Sequence, residues 1–455
     1  MVSRIFPTNE CELGFLIYNN FKEKLDMLKK TEELLINKYN ISEKTFEIYR
    51  QAIYDTDAQF KEYDEIREFN QLKVLRAFQE EKISDSHFTN TTGYGLDDLG
   101  RDALDKVYAR IFNTEAGLVR PHFVSGTHAI GCAIAGNVKP GDKILCVSGL
   151  PYDTLLGVLG LSKKKNPGSL DEYGIKTDIV DLDNEGKFQF DKIKEALNAD
   201  HSIKLVHIQR STGYASRKSF LVSEITEVIK HIREVRTDVI IFVDNCYGEF
   251  IETVEPTEFG ADIMAGSLMK NIGGGIAPGG GYVVGKKEYV DAAANRLTVP
   301  GVGGEYGATY GLMRSFYQGL FSAPHVAIEA VKTAIFCARV MEIVGFKVFP
   351  ASTDKRTDII QAIEFGDAKK LINFCSGIQA GSPIDAFAVC EPWAMPGYDS
   401  EIVMAAGAFI SGSTIELSAD GPVREPYIAY IQGGLNFDHG KIGILIGLSK
   451  VLELE

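Results

Sequence analysis

No two of the seven cysteines are spaced as CxxC; positions 11, 132, 146, 246, 337, 375 and 390 are scattered along 455 residues. An odd, dispersed set in so long a chain predicts reduced thiols in a cytoplasmic protein, not a disulfide frame. The first residues, MVSRIFPTNECELG, lack a long apolar core, so no signal peptide is expected. No run of about 18 apolar residues occurs, which excludes a spanning helix. Positive charge is short, with 48 Lys and Arg against 62 Asp and Glu and a net charge of −14. That balance argues against nucleic acid or an anionic membrane as the main partner. There is no internal repeat and no low-complexity tract.

Common catalytic motifs are missing too. Neither HExxH nor a close His or Cys pair points to zinc, so no metal site is expected, and GxSxG is absent. The glycine-rich stretch SLMKNIGGGIAPGGGY has its lysine, Lys270, before the glycines, the reverse of GxxxxGK[ST]. A GxGxxG reading fails because Pro278 stands where the third glycine belongs.

At 45% hydrophobic and 24% charged residues, the chain reads as a soluble globular protein, too long for a single core. Residues 10–82 are charged and helical in pattern. Ile17, Phe21, Leu25 and Leu28 share a face; Asn40 and Ser42 interrupt; Ser42 caps a second helix with Phe46, Tyr49 and Ile53; a third helix is predicted over 57–81. From about residue 100, short apolar runs alternate with amphipathic stretches: 143–149, 176–183, 203–209, 239–245 and 279–285 read as strands and 223–235 as a helix. This pattern predicts an α/β fold with a large, mostly parallel sheet covered by helices on both faces. A long helix over 322–345 is followed by GFKVFP, DIIQAIEF, DAFAVC, IVMAAGAFI and STIELSAD as short strands, with a helix at 366–375. The predicted organisation is an N-terminal helical arm over 1–85, a large domain over 86–330 and a smaller C-terminal α+β domain over 331–455.

With nucleotide and metal motifs excluded, Lys270 reads as a covalent lysine able to form a Schiff base with pyridoxal 5′-phosphate. That cofactor also needs a carboxylate for its ring nitrogen, N–H groups for its phosphate and a stacking ring. VIIFVDNCYGEF offers Asp244 at a strand end, either for the pyridinium or as a turn cap. Tyr247 offers a contact to the phenolate oxygen, or simply packs. HFVSGTHAIGCAIAG offers Ser125, Gly126 and Thr127 ahead of a small-residue helix, as a phosphate cradle or a plain N-cap. GLPYDTLLG offers Tyr152 for stacking, with surface packing as the alternative.

Together these pieces resemble the fold-type I pyridoxal-phosphate enzymes, above all the lyases of Cys/Met metabolism. Tyr152 follows Thr127 by 25 positions, Lys270 follows Asp244 by 26, and Ser267-Leu268-Met269-Lys270 fits S-x-x-K. TGYGLDDLGRDALDKVYARIF, VDNCYGEF, SLMKNIGGGIAPGGGY and SADGPVREPY resemble one branch, the methionine gamma-lyase or aluminium resistance proteins, whose members are described as cystathionine beta-lyases. The resemblance extends over nearly the whole chain. It implies a fold-type I architecture, a small amino-acid substrate, and a homodimer or homotetramer whose interface builds shared sites. It also implies Lys270 as the Schiff-base lysine, Asp244 as pyridinium partner, Tyr152 as stacking ring, and Ser125, Gly126, Thr127 and Ser267 around the phosphate. Those relatives bring a Tyr-x-Arg from the neighbouring subunit. Here Tyr94-Gly95-Leu96 lacks the arginine, and Arg101 follows seven residues after Tyr94. Met269 replaces a threonine often found before the lysine. Arg424 is the choice for the substrate carboxylate, or a structural salt bridge. Gln209 and Arg210, at a strand end, are candidate cofactor or substrate contacts, and LTVPGVGGEYGATYG is a candidate site loop.

The implied reaction is carbon–sulfur bond cleavage, β- or γ-elimination, with Lys270 moving the α-proton and Tyr152 or Tyr94 protonating the leaving sulfur. Another pyridoxal-phosphate activity, a transferase or aldolase, and a non-catalytic α/β binding protein stand as alternatives.

Overall fold

A computed structural model describes residues 30–39, 41–214, 217–394 and 400–454. The face at Ile17, Phe21, Leu25 and Leu28 and the break at Asn40 lie outside them. Residues 30–39 form helix α1. The Ser42 hydroxyl caps α2 (Glu43–Glu80), accepting from the Thr45 N–H at 3.1 Å. The sequence predicts a helix boundary near residue 57, but α2 is continuous over 38 residues. No glycine or proline interrupts it, and Thr56, Tyr63, Asn70, Val74 and Ala77 keep a buried stripe along its length.

The large sheet has the order β1 (Ala116–Arg120), β7 (Gly281–Gly285), β6 (Ile263–Ser267), β5 (Ile240–Asp244), β4 (Ile203–Gln209), β2 (Lys143–Cys146), β3 (Lys176–Ile179). Only β7 runs antiparallel to its neighbours. The strands alternate strictly between two cores. Cys146, Leu205, Phe242, Ala265 and Val283 face one side, and Leu145, Val206, Ile241, Met264 and Tyr282 face the other. Helices α3 (Leu99–Ile111), α6 (Phe190–Ala199) and α7 (Val222–Val235) cover the second face; α4 (Gly126–Gly136), α5 (Asp153–Leu159) and α8 (Lys287–Leu297) cover the first. α7 buries Val222, Ile225, Val228, Ile229 and Ile232, the apolar stripe of its 3.6-residue period. β1 and β6 carry too little apolar alternation to stand out in the sequence.

α9 (Met313–Val344) starts nine residues before the predicted helix and passes from one core into the next: Met313 to Ile335 lie in the first, Phe336 to Met341 in the second. Beyond it an antiparallel sheet has the order β10 (Ile402–Ala405), β11 (Ser418–Pro422), β12 (Ile428–Gln432), β9 (Gln361–Glu364), β8 (Lys347–Phe349). It is packed by α10 (Ala368–Ala380) and α11 (Phe437–Leu452). DAFAVC is not a strand: Phe387 and Val389 are exposed, and among the described residues no strand pairs with them. Among the described residues no helix is long and apolar enough to cross a membrane.

Two features brace the region where the parallel strands end. The turn after Lys270 presses against α9 so closely that a Cβ on Gly319 would lie 2.3 Å from the Gly273 carbonyl oxygen, and one on Gly274 2.3 Å from that of Gly319. Arg210, expected near substrate, is instead fully buried. Its guanidinium pairs with Glu252 at 2.9 Å and Glu255 at 3.2 Å and donates to Asn245 and Thr357. It follows Gln209 on an extended strand, so its side chain leaves on the opposite face.

Each brace yields a prediction. Gly319→Ala will lower stability by roughly 1–3 kcal/mol through overpacking, read as a fall in melting temperature. Arg210→Met will cost roughly 3–5 kcal/mol in denaturant unfolding, because it strands the buried Glu255 carboxylate and the half-buried Glu252. A native-stability Arg210→Met protein with raised KM would return this residue to the substrate.

Candidate active site

The carboxyl ends of β4, β5 and β6 lie side by side, with Gln209, Asp244 and Ala265 in register. This is where open α/β sheets gather ligands. A cavity of about 300 Å³ opens there, lined by Ser125, Gly126, Thr127, Tyr152, Gln209, Asp244, Tyr247, Ser267 and Lys270 among others. All nine residues assigned to the cofactor from the sequence are thus in one place.

Ser125 caps α4, its hydroxyl accepting from the His128 N–H at 3.1 Å. The next N–H groups, of Gly126 and Thr127, have no acceptor within the helix. They line the cavity, where the positive end of the helix dipole favours an anion. Only glycine fits at 126, since a Cβ would lie 2.9 Å from that of Ser267 and 3.5 Å from the Cys246 sulfur. The Thr127 hydroxyl is 2.7 Å from that of Thr154 on α5. Ser267 Oγ accepts from the Met269 N–H at 3.2 Å.

Asp244 ends β5, buried, with Oδ1 accepting from the Cys246 N–H at 3.1 Å. The chain then turns sharply: Tyr247 and Phe250 take φ of 73° and 66°, a left-handed conformation costly for aromatic residues. The turn is held by Asn271, whose Nδ2 donates to the carbonyls of Tyr247 at 2.7 Å and Glu249 at 3.1 Å. Lys270 Nζ therefore sits 3.9 Å from the Tyr247 ring centroid. Burial works against the Lys270 ammonium, but Cys246, Tyr247 and Asp244 around it carry its pKa above the ordinary lysine value. Burial pushes the Cys246 thiol and the Tyr247 phenol upward.

Gln209 has a positioning role that the sequence does not reveal. Its Oε1 accepts from the Tyr152 N–H at 2.8 Å and its Nε2 donates to the Ser211 carbonyl at 3.0 Å. That fixes the start of α5 and with it the Tyr152 ring. Cys246, Met269, Gly213 and Thr414 also line the cavity and were not assigned from sequence as ligand contacts. Thr414 comes from the connection between β10 and β11, beyond reach of any local motif.

The remaining assigned residues lie elsewhere in the chain. Tyr94 is 70% exposed and packs on Tyr306 with ring centroids 5.0 Å apart. Arg101 is fully buried under that pair, donating to the carbonyls of Gly95 at 2.6 Å and Gly307 at 3.3 Å, so it ties together the two loops that carry the tyrosines. Arg424 is exposed in the turn between β11 and β12. Among the described residues no group of three or more His, Cys, Asp or Glu is gathered for a metal.

The donor set fits pyridoxal phosphate. The cavity holds one lysine, one strand-end carboxylate, an aromatic ring and an anion cradle in which a single Cβ would already collide.

The family profile described as methionine gamma-lyase matches residues 45–452. YnbB of Bacillus subtilis, described as uncharacterized, is 49% identical over 393 residues, 86% of this chain and 93% of its own. A Clostridium acetobutylicum structure, described as a "putative cystathionine beta-lyase involved in aluminum resistance", is 61% identical with a TM-score of 0.90, covering 92% of this chain and 98% of its own. The fold is shared more distantly with YhfS of Escherichia coli, described as pyridoxal-5′-phosphate dependent, at 15% identity and a TM-score of 0.57, over 86% of this chain and 97% of that one. The chain has the fold of pyridoxal-phosphate enzymes and belongs to the methionine gamma-lyase family.

Proposed function

We propose that the protein is a pyridoxal-phosphate-dependent carbon–sulfur lyase that cleaves a cystathionine- or methionine-type amino acid by β- or γ-elimination. The observation that carries this reading is the meeting of Lys270, Asp244 and the first turn of α4 at one cavity. When bound, the cofactor supplies an electron sink for the pair left as the α-proton departs. Lys270 Nζ would hold it covalently as a Schiff base, and then, released by substrate, take the α-proton. Asp244 would keep the ring nitrogen protonated, since a carboxylate beside it favours the charged form. Ser125, Gly126, Thr127 and Ser267 would hold the phosphate. Tyr152 would cover the ring, oriented through Gln209, and Tyr247 would contact the phenolate oxygen. A tyrosine hydroxyl, of Tyr152 or of Tyr94 from a second copy, would deliver the proton to the leaving sulfur.

We assign the substrate carboxylate to Arg424, whose guanidinium suits a bidentate pair and lies near enough for its charge to act on Tyr430. Two copies would share each site in a homodimer or homotetramer. The exposure of Tyr94, Leu96 and Tyr310 on loops tied by Arg101 supports this. The six described cysteines, all free and buried, fit a cytoplasmic enzyme.

Product analysis tests the reaction. Purified protein with pyridoxal phosphate should convert L-cystathionine or L-methionine to a thiol, an oxo-acid and ammonia. Lys270→Ala should lower that rate by about 10²–10⁴ or more, the range for losing a positioned base. Aldehyde from L-threonine, or transamination products alone, would point to an aldolase or transferase instead.

A further inference from the structure

A second cavity, of about 180 Å³, adjoins the first and shares Tyr152, Gly213, Tyr247 and Thr414 with it. Its far wall comes from the antiparallel sheet, with Asp420 on β11 and Tyr430 and Gln432 on β12. Ile360 and Met404 add an apolar side suited to methylenes and a thioether sulfur.

Asp420 is 4% exposed, yet the groups that donate to its carboxylate, Tyr214 and Gln432, are neutral. The Tyr214 hydroxyl donates to Oδ2, and Gln432 Nε2 donates to Oδ1 at 2.8 Å. The Tyr430 hydroxyl donates to the Tyr214 carbonyl at 2.9 Å, so the tyrosine that holds the carboxylate is itself held. Tyr214 also packs beside Tyr152, ring centroids 5.9 Å apart, which links this wall to the cofactor cavity. Burial raises the Asp420 pKa to about 6, so the carboxylate is mainly ionised at neutral pH. An ionised carboxylate offers about four acceptor positions, and its two neutral donors occupy only some of them. A buried carboxylate without a cation is costly, and a ligand cation at the cavity's end relieves that cost.

We propose that this side cavity receives the sulfur-side arm of the substrate and that Asp420 binds an ammonium group at the end of that arm. The protein then selects thioether amino acids that carry a second amino group over those that end in methyl. This rests on the lyase reading above.

The test uses two non-cleavable carbon analogues, so that binding is read without turnover. In 2,7-diaminosuberate and norleucine a methylene replaces the sulfur of cystathionine and of methionine. Holoenzyme is titrated with each by calorimetry. The diamino analogue should bind at least about tenfold tighter than norleucine. Asp420→Asn should weaken the diamino analogue about tenfold to a hundredfold, the range for a hydrogen bond to a charged group, while norleucine changes far less. Met404→Phe, which narrows the cavity from the strand position opposite Asp420 and keeps the carboxylate, should also weaken the diamino analogue more than norleucine, and it decides the matter if Asp420→Asn does not fold. Equal affinity for the two analogues, or equal weakening of both by these variants, overturns the proposal. Absence of thiol release from cleavable thioethers, with the selectivity intact, overturns the lyase reading instead.

Discussion

The site depends on one close contact, the first turn of α4 against the end of β6. At Gly126 there is room for a hydrogen and nothing larger, because Ser267 and Cys246 stand 2.9 and 3.5 Å from where a Cβ would be. That packing sets the unpaired N–H groups of the helix over the ends of the parallel strands. The register of β4, β5 and β6 then places Gln209 and Asp244 at the same level, with Lys270 just past the end of β6. An anion cradle, a carboxylate and a lysine meet because one helix end packs this closely on one strand end.

The lysine and the aspartate are also joined through the backbone. Tyr247 and Phe250 hold left-handed conformations that cost on the order of 1–3 kcal/mol each. Asn271 offsets part of that cost by donating to two carbonyls of the same turn from the position next to Lys270. The strand-end turn and the lysine turn are therefore one unit, and α9 backs it through Gly319. The glycines after Lys270 serve this close packing; the chemistry belongs to the residues around the lysine.

Most of this site was legible in the sequence because each part is a local signal at a strand or helix end. Asp244 closes an apolar strand, Ser125-Gly126-Thr127 opens a small-residue helix, and Lys270 follows at a fixed interval. Asp420, Tyr430 and Gln432 were not legible, because only the pairing of β11 with β12, and the packing of both against Tyr214, brings them together. Arg210 was misread although the strand period of two already sets it opposite Gln209. The helix break expected near residue 57 was also misread, although no Gly or Pro stands within the span of α2. DAFAVC failed as a strand because an apolar run needs a partner strand to pair with, and none among the described residues lies beside it.

The central claim is that Lys270 holds the cofactor. Borohydride reduction of the cofactor-loaded protein, followed by peptide mass spectrometry, tests it most directly. The account predicts a pyridoxyl adduct on the peptide containing Lys270. Cofactor-loaded protein that emerges with Lys270 unmodified would contradict it.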